Sequence, residues 1–152
     1  MMHGLINRAV QCFVRDTYGP DRWMETARLA GLDFSEFEAM LFYEDALTEA
    51  LLDTLARQLN VPRSTVLEDI GTYLVSHPNV EALRRLLRFG GVTFIGLVHY
   101  LDDLPERAKL AVSDLELPVP ELREHAANQF SLVCQSPHSD FGVYDVRLLP
   151  RR

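Results

Sequence analysis

Cysteine is scarce. Cys12 and Cys134 are the two in 152 residues, and they form neither a CxxC pair nor a metal-ligand spacing. Reduced thiols in a cytoplasmic protein are the simplest expectation, and Cys12 reads as a small buried apolar side chain. No run of about 18 apolar residues is present, so no membrane-spanning helix is expected. The start, MMHGLINRAVQCF, has no charged lead, long apolar stretch or small-residue cleavage site, so no signal peptide is expected. There is no basic stripe interleaved with aromatics. With 15 Lys and Arg against 22 Asp and Glu, the net charge is -7, which leaves a nucleic-acid partner without an electrostatic footprint. A nucleophile elbow, an HExxH pair and a Gly-rich phosphate loop are all missing, so the chain is not expected to be an enzyme. The clustered acids Glu36, Glu38, Glu44 and Asp45 read as solvated surface.

What is present is an ordinary globular composition, 47% hydrophobic and 24% charged, in a length that suits one domain with one sizeable core. The first two-thirds has helical texture. Leu5, Ile6, Ala9, Val10, Phe13 and Val14 recur at i, i+3, i+4 spacing and predict a helix broken at Tyr18-Gly19-Pro20. Asp21 is placed to cap a second helix that runs to about Ala30 and stops at Gly31. Asp33 to Phe42 mixes acids with aromatics and predicts a short helical turn. A longer helix is expected over Asp45 to Leu59, with Ala46, Leu47, Ala50, Leu51, Leu55 and Leu59 inward and Asn60 as its stop.

Pro62 opens the next helix, where its missing N–H costs nothing. That helix carries Val66, Ile70, Tyr73 and Leu74 and should end before His77-Pro78. Val80 to Phe89 is amphipathic, and Val92 to about Asp103 predicts a further helix interrupted by Pro105. After Leu115 the texture changes, because two prolines forbid a continuing helix. Extended segments follow at roughly 120–124, 129–135 and 143–149, with a polar turn near Ala126–Asn128. Helices first and strands later predict an α+β fold with a small antiparallel sheet.

Four local patterns, taken in order, resemble the haem-nitric-oxide/oxygen-binding (H-NOX) family. They are the opening Met2-His3-Gly4-Leu5-Ile6-Asn7, the turn from Tyr18-Gly19 through Trp23, and the segment Gly71-Thr72-Tyr73-Leu74. The fourth is the stretch from Asn79 to Pro118, which follows the family's signalling helix and proximal loop. The resemblance covers residues 2 to about 138. It implies one domain over 1–152, with a helical lobe over about 1–60 packed on a lobe of helices plus sheet over about 61–152. It also implies haem b as cofactor.

Family members bind iron through one histidine on the helix after a Leu-Asp-x-Leu segment. A proline thirteen residues later presses on the porphyrin, and a Tyr-x-Ser-x-Arg strand grips the propionates. These positions fall on Pro105, Pro118, Cys134, Ser136 and His138. The pressing proline and the serine match; the ligand, tyrosine and arginine do not. Pro105 has no lone pair to give iron. His99, six residues earlier, is a weak substitute, since it lies roughly 120° around the helix and about 9 Å along it.

A histidine is not the permanent planar cation that pairs with carboxylates, and a thiol donates weakly where a phenol donated well. Each lost charge-assisted hydrogen bond costs ~1.5–3 kcal/mol, so the combined loss amounts to about a hundredfold or more in haem affinity. Cys134 could ligate iron only if the porphyrin moved. On the distal side the resemblance places Ile6 and Leu74, which offer no hydrogen bond to dioxygen. With haem present, such a pocket would favour nitric oxide or carbon monoxide.

The family also carries a long helix and hairpin before its last strand. Here Ser139-Asp140-Phe141-Gly142 passes directly to Val143, so the domain is expected to be shortened, or to lack a segment, after Gly142. Two functions stay open. One is a sensory or regulatory domain with weakened or lost haem binding; the other is a true haem-based NO/CO sensor using a non-standard axial ligand. In either case the family resemblance implies a regulatory partner such as a kinase, a cyclic-dinucleotide enzyme or a chemotaxis component.

Overall fold

The computed structural model describes residues 1–80, 104–114, 119–127, 129–135 and 143–147. The chain divides into two compact units, Met1–Leu86 and Leu87–Arg152. Helices in the first and an antiparallel sheet in the second give the α+β class expected from the sequence.

The first unit opens with β1 (Met2–His3), which runs directly into α1 (Gly4–Tyr18). His3 is the N-cap: its Nδ1 accepts from the Leu5 N–H at 3.2 Å, satisfying one of the donors a helix start leaves open. Gly19, at φ 97°, ends α1 in a conformation that side chains resist, and Pro20 then begins α2 (Pro20–Leu29). The cap of α2 is therefore Gly19 and not Asp21. Asp21 lies one residue inside, where its charge complements the helix N-terminus.

No helical turn forms between Asp33 and Phe42. That segment is a chain of bends with one turn closed by the Leu41 N–H to the Glu38 carbonyl at 3.3 Å. It ends in β2 (Phe42–Tyr43), which pairs antiparallel with β1, Met2 opposite Tyr43 and His3 opposite Phe42. Helix period loses here because the Phe37 N–H is taken by Gln11 of α1 and the Glu38 N–H by the Tyr43 hydroxyl.

Helix α3 (Asp45–Leu59) has the expected bounds, and Asn60 stops it in the left-handed region at φ 53°. Its inward face is narrower than the apolar residues implied. Leu51 and Leu55 are fully buried with Thr48, Leu52 and Thr54, whereas Ala46 is exposed. Nine residues separate Ala46 from Leu55, which places them on about opposite sides of a helix. Helix α4 (Arg63–Ser76) follows Pro62, its N-cap, and buries Val66, Ile70 and Tyr73 as expected. A 3-10 turn over Pro78–Val80 comes next.

The core of this unit is made by Val10, Phe13 and Val14 of α1, Trp23 and Ala27 of α2, and Phe37, with the inward residues of α3 and α4. Phe37 is the aromatic hub, in edge contact with Phe34 and Tyr43 at 5.1 and 4.9 Å between ring centroids. Trp23 is fully buried and its indole Nε1 donates to the Ser35 carbonyl at 2.8 Å. Val80 falls in the 3-10 turn, and the rest of the helices expected over Val80–Phe89 and Val92–Asp103 lies outside the described residues.

In the second unit, α5 (Leu104–Ala111) contains Pro105 in its first turn. Pro105 is tolerated there, since a first-turn N–H has no intrahelical acceptor to lose; the expected helix before it lies outside the described residues. The sheet has the order β3 (Val119–Ala126), β4 (Gln129–Gln135), β5 (Val143–Arg147), all antiparallel. Pro120 is tolerated because β3 is an edge strand. A register irregularity falls between Glu124 and Ala126, near the end of β3.

Candidate functional site

The residues expected to touch a cofactor divide between the two units. Ile6 lies in the first turn of α1 and is half-buried. Leu74 lies in the last turn of α4, half-buried and packed against the helical core. Pro105 is half-buried in the first turn of α5, and Cys134 stands opposite Pro120 near the end of β4. His99, Pro118, Ser136 and His138 lie outside the described residues. Among the described residues, no group of three or more His, Cys, Asp or Glu side chains is arranged to hold a metal ion. Haem iron would need only one protein ligand; the residue that the family resemblance puts at that position is Pro105, whose ring nitrogen offers iron no electron pair.

A polar cluster that sequence reasoning passed over ties the ends of α1 and α4. The Tyr73 hydroxyl donates to Asp16 Oδ2 at 2.6 Å, and His77 Nδ1 lies 4.0 Å from the same oxygen. The Tyr73 and His77 rings are 4.9 Å apart, and Phe13 meets Tyr73 edge-on at 5.7 Å. Burial alone would raise the Asp16 carboxyl. Hydrogen bonds from Tyr73 and Asn79, with the His77 and Arg15 charges, outweigh it and hold the group below its ordinary 3.8. Burial, then the hydrogen bond to Asp16 and its charge, push the Tyr73 phenol well above its ordinary value. Tyr73 is thus a permanent donor, and the pair acts as a clamp.

The cluster borders a depression of about 260 Å³ whose rim includes Thr17, Tyr18, Thr72 and Ser76. The sequence signal for it was slight. Tyr73 and His77 stand four apart on one helix face, but nothing local pairs them with Asp16.

A second set of polar side chains is buried in α1. Asn7 Oδ1 accepts from the Thr48 hydroxyl at 2.7 Å, and Gln11 Oε1 accepts from the Phe37 N–H at 2.9 Å. Both amides are essentially free of solvent. They fix α1 against α3 and against the 33–43 segment, because a buried donor left unpaired is costly. Cys12 is half-buried, and burial pushes its thiol up, which disfavours the reactive thiolate.

The haem-NO-binding family model matches residues 3–148. A search of curated protein sequences finds no match. Among solved structures, the chain is similar to the Fe(II) unliganded H-NOX protein from K. algicida, at 17% identity and a TM-score of 0.70, covering 90% of this chain and 74% of that one. It is similar to a structure from work on the molecular mechanism of H-NOX activation, at 14% identity and a TM-score of 0.73, covering 92% and 76%. A third is an oxygen-binding H-NOX domain related to soluble guanylate cyclases, at 13% identity and a TM-score of 0.63, covering 88% and 70%. At such identities the structural likeness shows the fold, and the family model, spanning nearly the whole chain, shows the membership. The chain belongs to the haem-NO-binding (H-NOX) family of sensor domains.

Proposed function

We propose that this chain is a sensory or regulatory H-NOX-family module whose haem binding is weakened or lost. The observation that carries the reading is Pro105, half-buried in the first turn of α5, at the position the family resemblance assigns to the iron ligand. A tertiary proline nitrogen inside the peptide chain has no electron pair to donate, so no iron–protein bond forms there. Support also comes from the helical unit, whose core closes with its own side chains; Leu74, expected at the distal side, packs against that core. With no ligand at the proximal position, the residues do not fit haem as the family holds it.

The module then acts by contact with a separate signalling protein, of the kinase or cyclic-dinucleotide-enzyme kind that the family resemblance implies, in the cytoplasm. Among the described residues no helix is long and apolar enough to cross a membrane.

The test is an absorption spectrum of protein expressed with haem precursor, alongside a Pro105→His variant. The native chain is expected to show no Soret band and the variant to gain one. A strong Soret band in the native protein would overturn the reading. Absence of haem from both would leave the haem-free function standing and remove the assignment of Pro105 to the ligand position.

A further inference from the structure

Three consecutive large apolar residues project into water from the segment between α2 and α3. Met40, Leu41 and Phe42 are 59%, 54% and 44% exposed. In a loose loop such side chains would fold back against the core. This loop is not free to do so. The Gly4 N–H donates to the Leu41 carbonyl at 2.7 Å, the Glu38 N–H to the Tyr43 hydroxyl at 2.8 Å, and Arg8 Nη1 to the Phe37 carbonyl at 3.1 Å.

Gly4 lets the loop press against the start of α1, since a Cβ there would sit 2.0 Å from the Glu38 carbonyl oxygen. Tyr43 points inward to Phe34 and Phe37, so strand alternation turns Phe42 outward, against His3. The tip is held in shape before anything binds it, which lowers the ordering cost of an encounter.

The charge around the tip selects its partner. Residues 33–45 contain five carboxylates and no Lys or Arg. Glu36 pairs with Arg15, and Asp45 with the N-terminal ammonium. Glu38 and Glu44 are exposed and have no ion-pair partner among the described residues. Arg8 of α1 is engaged with the Phe37 carbonyl at the root of the loop. A second copy of this chain, at net charge -7, would bring the same acidic rim to the contact. An anionic membrane would be repelled in the same way. A helix with apolar anchors set among Lys and Arg meets both the tip and its rim.

We propose that Met40, Leu41 and Phe42, with Glu38 and Glu44 beside them, form a docking surface for a basic amphipathic helix of a partner protein. This names a surface and a partner chemistry that the regulatory reading leaves open, and it holds whether or not the chain takes up haem.

The probe is a fluorescein-labelled Leu/Lys amphipathic helical peptide of about five turns, titrated into the full chain and followed by anisotropy. A Met40→Ser/Leu41→Ser variant is expected to bind it at least about tenfold more weakly. A Glu38→Gln/Glu44→Gln variant should bind severalfold more weakly and lose much of the salt dependence. These positions are exposed, so circular dichroism should be unchanged; Phe42→Ser serves as an independent tip variant. The proposal is overturned if the peptide does not bind, if it binds the tip variants as tightly as the native chain, or if a Leu/Glu peptide binds equally well. It is also overturned if the tip variants instead abolish binding to phosphatidylserine/phosphatidylcholine vesicles, or dissolve a dimer seen by sedimentation.

Discussion

In the first unit, helices α1 to α4 close around Phe37, Trp23, Leu51 and Leu55, all of them fully buried, and the buried amides of Asn7 and Gln11 are spent on holding neighbouring segments. In the second unit, α5 buries no residue at all, and the strands beyond it carry Cys134 where the family resemblance expects a propionate-gripping tyrosine. The two regions therefore differ in what they keep. Positions that build the scaffold retain side chains suited to packing, while two positions that the resemblance puts against haem, Pro105 and Cys134, carry side chains poorly suited to it. The apolar contacts that close the core of the first unit exclude water from it without a porphyrin.

The comparison breaks if the first unit proves to depend on something other than its own packing. Phe37→Ala removes the hub of the aromatic cluster and should cost about 3–5 kcal/mol in urea unfolding. A loss under about 1 kcal/mol would show that the core is not organised around that ring. Gly4→Ala places a methyl group against the backbone oxygens of Glu38, Leu41 and Ala39, none of which can rotate away. A destabilisation of about 1–3 kcal/mol is expected. Gly71→Ala, at an exposed position in α4 with nothing within 4 Å, should instead stabilise by roughly 0.5–1 kcal/mol. Thermal denaturation of the two glycine variants, read side by side, separates close approach from helix propensity.

An effect of similar size lies in the clamp between α1 and α4. Tyr73→Phe removes the hydrogen bond to Asp16 and should cost about 1 kcal/mol, since the carboxylate is partly solvated. The folded-state value of Asp16 lies below 3.8, so its contribution is complete above that value and is lost as pH falls through the folded one. Asp16→Asn should therefore flatten the acid limb of the stability curve below about pH 4 and leave its slope near neutrality unchanged. An unchanged acid limb would show that the clamp contributes nothing.

Much of the helical unit was legible beforehand because its apolar residues follow a 3.6-residue period and its stops are marked by Gly19, Asn60 and Pro78. The 33–43 segment was not, since its conformation is set by distant donors and acceptors: Gln11, Arg8, Trp23 and the Gly4 N–H. No local pattern announces such partners. The width of the buried face of α3 was misjudged at Ala46 for a related reason. Thr48 and Thr54 are polar by composition but buried by virtue of their acceptors, Asn7 and the Ala50 carbonyl. At the candidate site, the Pro105 substitution could be seen from the resemblance alone. The Asp16–Tyr73–His77 cluster could not, because Asp16 and Tyr73 are separated by 57 residues.

The central claim is that packing, and not haem iron, holds this domain together. Its most direct test is equilibrium urea unfolding of protein produced without haem, repeated after equilibration with excess haem. The two curves are expected to coincide. A ligand held at about a hundred times its dissociation constant adds about 2.7 kcal/mol to the folded state, so a rise of that order on adding haem would contradict the claim.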